Sequence, residues 1–143
     1  MPHRCDDAGS VTVELAVLAM AFLLVGLLMA AGGRIYSAQE AVDHAAAVAA
    51  RDASLARTPA AATVAARDAA ADVLVQRGLT CRPDVSVHTG GFAARPGEFG
   101  VARVSLSCGI SLSDLAALPG LPGSVTVSST FASPIDPFRA RTP

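Results

Sequence analysis

Between residues 11 and 33 the only ionisable side chain is Glu14, five residues after Gly9 and at the mouth of an otherwise apolar run. A charged group in a bilayer costs about 2.5–3.5 kcal/mol at the centre and less toward either end. A carboxylate here is therefore a candidate for recognition or ion pairing, set against an acid that simply snorkels to the interface. A second constellation is Cys81 and Cys108 with His88 between them. In an oxidising compartment the two thiols would close a disulfide across a hairpin, contributing about 3–4 kcal/mol in the loop-entropy model. Two other readings stay open: a pair of buried free thiols, and a zinc site with His88 as third ligand, for which a fourth ligand is missing. His44 follows Glu40 by four residues, the spacing of a solvated pair on a helix surface. No nucleophile elbow, phosphate-binding loop, dinucleotide fingerprint or Ser-His-Asp pattern is present, so neither catalysis nor a cofactor is expected.

These residues need elements to hold them. Residues 11–31 are interrupted only by Thr12, Glu14 and Gly26. As a helix they span about 31 Å, enough to cross the hydrocarbon core. Arg34 and Tyr36 follow where a headgroup anchor and an interfacial aromatic belong. Before the run, MPHRCDDAG is a short polar leader whose Arg4 is offset by Asp6 and Asp7, so charge alone orients the segment poorly. A cleaved secretory signal is the rival reading, with small-residue sites near Ala19-Met20-Ala21 or Met29-Ala30-Ala31. The length of the run and the acid at its start count against it. Gly26, Gly32 and Gly33 suit close helix packing in a membrane and suit a plain membrane helix equally.

Beyond Arg34 the chain to Arg57 has no Gly or Pro and is rich in Ala. Ile35, Ala38, Val42, Ala45, Ala46 and Ala49 make one apolar stripe. The pattern predicts a single helix from Ser10 to about Leu55. Thr58-Pro59 is a start signal for a second helix ending near Gln76 or Arg77, with Gly78 in the capping place. On that helix Val64, Ala65, Asp68, Ala69, Asp72, Val73 and Gln76 give only a thin stripe, which calls for a partner. After Gly78 come a short strand over 85–89, a Gly/Pro-rich loop over 90–100 and a longer strand over 101–112. Val104, Leu106 and Cys108 share one face of that strand. A helical turn over 112–116, turn residues over 119–123 and a third strand over 124–132 follow. Three antiparallel strands against helix are near the minimum that folds independently.

Composition bounds the rest. The chain has 143 residues, 52% hydrophobic and only 4% aromatic, with no Trp. That leaves room for one modest domain beside a membrane segment and argues against a large enzyme core. All 11 basic residues are Arg against 12 acids, and this neutral balance gives no support to nucleic-acid binding, which needs a basic patch. There is no Asn, hence no glycosylation sequon.

The stretch GSVTVELAVLAMAFLLVGLL, with Glu14 five residues after Gly9, matches the processing site of type IV prepilins. With the later GRIYSAQEAVDHAAAVAAR it resembles the TadE-like family, pilin-like minor components of tight-adherence (Flp, type IVb) pilus assembly, over about residues 8–57. The cysteine-bearing sheet and the Pro-Ile-Asp-Pro-Phe-Arg tail are similar, less specifically, to actinobacterial members. Many relatives carry a proline where Met20 stands, so the kink of such relatives is not implied here. The resemblance implies that a prepilin peptidase cuts between Gly9 and Ser10 on the cytoplasmic side, discarding Cys5 with the leader. It also implies that Glu14 meets the new Ser10 amine of a neighbouring subunit.

The expected architecture is α+β and pilin-like: a long N-terminal transmembrane α-helix, a second helix and a small three-stranded antiparallel sheet. Its parts are a leader over 1–9, a membrane helix over 10–33, its extracytoplasmic continuation over 34–57, a second helix over 58–78, a sheet domain over 79–133 and an extended tail over 134–143. The chain is expected in the cell membrane as a single-pass N-in/C-out protein, non-enzymatic and without metal or cofactor. Its expected partners are the prepilin peptidase and other Tad pilins and pilus assembly proteins, reached through the N-terminal helix. The alternative is a membrane-anchored extracytoplasmic domain that never enters a filament.

Overall fold

The computed structural model describes residues 8–95, 97–113 and 122–138, with residues 8–10 described by backbone alone. The expected leader residues 1–7 with Cys5, residues 114–121 of the turn region and the last five residues of the tail lie outside these. Helix α1 runs Ala8–Leu55 and passes Met20, Gly26, Gly32 and Gly33 without interruption. At about 1.5 Å per residue its 48 residues reach roughly 72 Å. The three-residue connection over 56–58 turns the chain back into α2, Pro59–Gln76. So short a link makes an antiparallel helical hairpin.

Both ends of α2 are capped as the sequence predicts. The Thr58 side chain accepts from the Ala61 amide at 3.2 Å, and Pro59 opens the helix where no amide hydrogen bond is needed. At the other end Gly78 takes φ 72°, a conformation that favours glycine. The Gly78 amide donates to the Val75 carbonyl and the Leu79 amide to the Leu74 carbonyl, each at 3.0 Å. These are the two paired bonds of a Schellman cap.

Strands β1 (Asp84–His88), β2 (Gly100–Ser111) and β3 (Ser124–Ile135) form one antiparallel sheet in the order β1-β2-β3. Its inner face carries Val85, Ala102, Val104, Leu106, Cys108, Ile110 and Val127, all buried. α1 packs on β2, β3 and α2, and α2 on β1. The outer face is polar: Ser105 and Thr130 stand opposite one another, and the Thr130 hydroxyl donates to Ser105 Oγ at 3.0 Å. β3 continues to Ile135, past the expected end at Ala132, and Pro134 lies within it opposite Val101. A proline fits there because β3 is an edge strand whose outward amides have no ladder partner.

Two packing surfaces differ from the sequence expectation. On α1 the buried set is Ala38, Ala41, Val42, Ala45, Ala46, Ala49, Ala50 and Ala53, while Ile35 stays largely exposed. The stripe is wider than expected because this part of the helix meets α2 and the sheet on adjoining sides. On α2 the buried face is Ala62, Ala66, Ala70, Val73 and Leu74, with Val64, Asp68 and Asp72 turned to solvent. Alanine lines both sides of this helix in sequence, so periodicity had little contrast to work with.

Within the stretch read as a loop, Gly90–Ala93 forms a 3-10 turn that seats buried Phe92. Gly91 lies directly on the backbone of Val101, and a Cβ there would collide with the Val101 amide nitrogen and carbonyl. Gly91→Ala is expected to destabilise the fold by about 1–3 kcal/mol, because the blocking atoms belong to a paired strand that cannot give way locally. Thermal melts of the full chain in detergent measure this. A melting temperature equal to wild type would show that the turn lifts off without cost.

Candidate assembly helix

The functional half of α1 is built by exclusion from the domain. Every residue from 11 to 30 is exposed, and the first buried position on the helix is Ala38. The helix therefore stands clear of the domain over residues 11–33, about 35 Å at 1.5 Å per residue. None of its most apolar window is buried, which separates it from the core helix of a soluble domain. A rod bearing Phe22, Leu28 and Met29 at 72–74% exposure is unfavourable in water. Such a surface is covered by lipid or by other helices. One N-terminal helix is thus long and apolar enough to anchor the chain in a membrane.

Of the site residues named from sequence, Gly9 and Ser10 lie in the first turn of α1, continuous with the helix. Glu14 follows Ser10 by four residues, about one turn and 6 Å along the axis. Glu14 is exposed. Thr12, Val13, Ala16, Val17, Met20, Ala21 and Leu24 line a shallow apolar depression along the same rod.

Cys81 and Cys108 are joined as a disulfide, with their Cα atoms 5.9 Å apart. This ties the segment before β1 to the inner face of β2 at the end nearer the apolar rod. His88 is at the opposite end of β1, exposed and paired in register with Arg103. It therefore does not join the two cysteines, and among the described residues no three His, Cys, Asp or Glu side chains gather in a metal-binding group. His44 is exposed on α1.

Several positioning contacts escaped the sequence reading. The Gln39 side-chain amide donates to Asp43 Oδ1 at 3.0 Å and to the Ser128 carbonyl at 3.2 Å, fastening α1 to the edge strand. Ser133 Oγ donates to Ser54 Oγ at 3.0 Å farther from the rod. Both link residues remote in sequence, and only the packing of β3 on α1 brings them together. Above the rod, Tyr36 is hydrogen-bonded to Glu40, and this bond and the Glu40 charge hold the Tyr36 phenol above its ordinary pKa. Tyr36 thus presents a neutral, amphipathic ring at the foot of the domain.

Residues 9–51 match the model of a family described as TadE-like protein. The matched stretch begins at the glycine in front of the apolar run and ends on the part of α1 that forms the domain core. No curated protein matches the chain, and no solved structure does.

Proposed function

Residues 9–51 being a TadE-like domain, we propose that this chain is a minor pilin or pseudopilin that helps assemble a tight-adherence (Flp, type IVb) pilus after a prepilin peptidase removes its leader. The observation that carries this reading is the exposed apolar rod over 11–33, about 35 Å long, with one acid a turn from the cleavage position. In this reading the cut falls between Gly9 and Ser10. Glycine suits the scissile position because it has no Cβ to obstruct the protease, and its poor helix propensity eases the local unwinding that access to the peptide bond requires.

Cleavage creates an ammonium at Ser10, while Glu14 carries a carboxylate one turn farther on. Within a bundle of such helices an unpaired carboxylate is costly, and one meeting the Ser10 amine of a neighbour is compensated. Correct stagger between subunits is therefore favoured by several kcal/mol over registers that leave both charges alone. The chain itself performs no bond chemistry in this scheme. The peptidase supplies it, and other Tad pilins and assembly proteins contact the rod. The domain then lies outside the cytoplasmic membrane, an N-in/C-out arrangement in which the Cys81–Cys108 disulfide persists.

N-terminal sequencing of the protein isolated from membranes tests the route. A mature chain starting at Ser10 is the expected result. An intact start at residue 1 or 2 would favour a membrane-anchored domain that stays out of filaments, and a start near 31–33 would mean release by signal peptidase.

A further inference from the structure

A recess of about 230 Å³ opens at the end of the domain from which the apolar rod emerges. Arg34 and Ser37 of α1 line one side, and Arg77 and Thr80, just after α2, line another, with Ala38 and Ile110 among its apolar walls. The two arginines are far apart in sequence. The antiparallel return of α2 brings its last turn back level with the start of the domain, and the Schellman cap then bends the chain across the foot of α1. We propose that this recess binds the phosphate of an anionic phospholipid headgroup, fixing the rotation and tilt of the domain on the membrane surface before the subunit leaves the bilayer.

Three observations carry the assignment. First, Arg34 directly follows the last residue of the span over 10–33, so the recess sits at headgroup depth whichever leaflet faces the domain. Second, both arginines are exposed, and guanidinium geometry matches phosphate oxygens through paired donors. Ser37 and Thr80 bring hydroxyls to the same recess; Ser37 already donates to the Arg34 carbonyl at 2.9 Å, which leaves its oxygen in a defined position. Third, three carbonyls in the last turn of α2 are already hydrogen-bonded. Those of Val73, Leu74 and Val75 are taken by the amides of Arg77, Leu79 and Gly78. Apolar Ala38 and Ile110 suit the glycerol region of a lipid rather than a free ion.

The inference rests on the rod being membrane-embedded, and the test separates the two. The full chain is reconstituted in vesicles of neutral phosphatidylcholine and in vesicles containing phosphatidylglycerol. Association of spin-labelled lipids is measured after flotation. Each basic side chain at the surface is worth about a fivefold preference, so the wild type is expected to prefer phosphatidylglycerol by about fivefold or more. In the Arg34→Gln/Arg77→Gln double variant the preference falls toward one, the Arg34→Lys/Arg77→Lys variant keeps part of it, and Arg57→Gln at the far end of the domain keeps it all. A chain that floats with neutral vesicles but shows no headgroup preference, or a double variant with wild-type preference, overturns the recess as a lipid site while leaving the anchor intact. Displacement of the bound lipid by inorganic phosphate at equal affinity overturns it in favour of a free-anion site. A chain that does not float with either vesicle overturns the membrane reading and this site with it.

Discussion

Glu14→Ala is expected to leave the protein synthesised, inserted and cut, and to reduce its incorporation into pili by at least about tenfold. Removing one partner of a buried ion pair costs about 3–5 kcal/mol, because the other charge stays behind unpaired, and each 1.4 kcal/mol is a factor of ten. Here the residue left behind would be the Ser10 ammonium, which has no other acid within the apolar segment to turn to. Glu14→Gln separates charge from shape: it keeps the side-chain length and one hydrogen-bond acceptor but loses the charge, and it should behave nearly as badly as alanine. Glu14→Asp keeps the charge one methylene shorter and should recover part of the assembly. The measurement is the ratio of pilus-associated to membrane-associated protein, read together with the N-terminal residue of each variant. A glutamate needed only by the protease would give an uncut Glu14→Ala chain. Normal assembly of that variant would end the pairing scheme.

The contrast between Glu14 and the recess at Arg34 and Arg77 shows what was legible in the chain before it folded. Glu14 announces itself through local contrast, one charge among apolar neighbours, and needs no tertiary information. The same holds for the long helix, for Thr58 and Gly78 as caps, and for the alternation that places Val104, Leu106 and Cys108 on one face. Each is a rule that acts within a few residues. The alanine faces of α2 were misjudged because Ala is helix-forming and small on every side. Which alanines are buried is then decided by the neighbour rather than by the helix. Gly91 was legible only as part of the Gly/Pro-rich loop over 90–100, since its close approach to Val101 exists only once the 3-10 turn docks on β2. Arg34 was legible as an anchor and Arg77 only as a possible end of the second helix. Their juxtaposition depends on the length of α2 matching the distance from Ala38 back along α1, a relation that no local pattern expresses.

Removing the disulfide should have the largest effect on the domain itself. Cys108 is 1% exposed on the sheet's inner face, and Cys81 packs against the same core. Their bond closes a loop with a sequence separation of 27. Loop entropy for that length amounts to about 3.5 kcal/mol, and for a domain of this size each kcal/mol moves the melting temperature by about 4–8 °C. Cys81→Ser/Cys108→Ala is therefore expected to melt roughly 15–25 °C below wild type, and reductant should lower wild type toward the variant while leaving the variant itself unmoved. Cys108→Ala is the better partner substitution because serine would bury a hydroxyl among Leu106, Ile110 and Val127. The same bond also reports on topology. A domain held in the cytoplasm would meet a reducing thiol pool, and a buried structural disulfide would not form there during synthesis. Trapping free thiols in intact cells with a membrane-permeant alkylating agent should accordingly find Cys81 and Cys108 blocked from reaction in the mature protein. If both cysteines were alkylated without prior reduction, the bond would be absent from the mature protein, and its support for the N-in/C-out orientation would be lost with it.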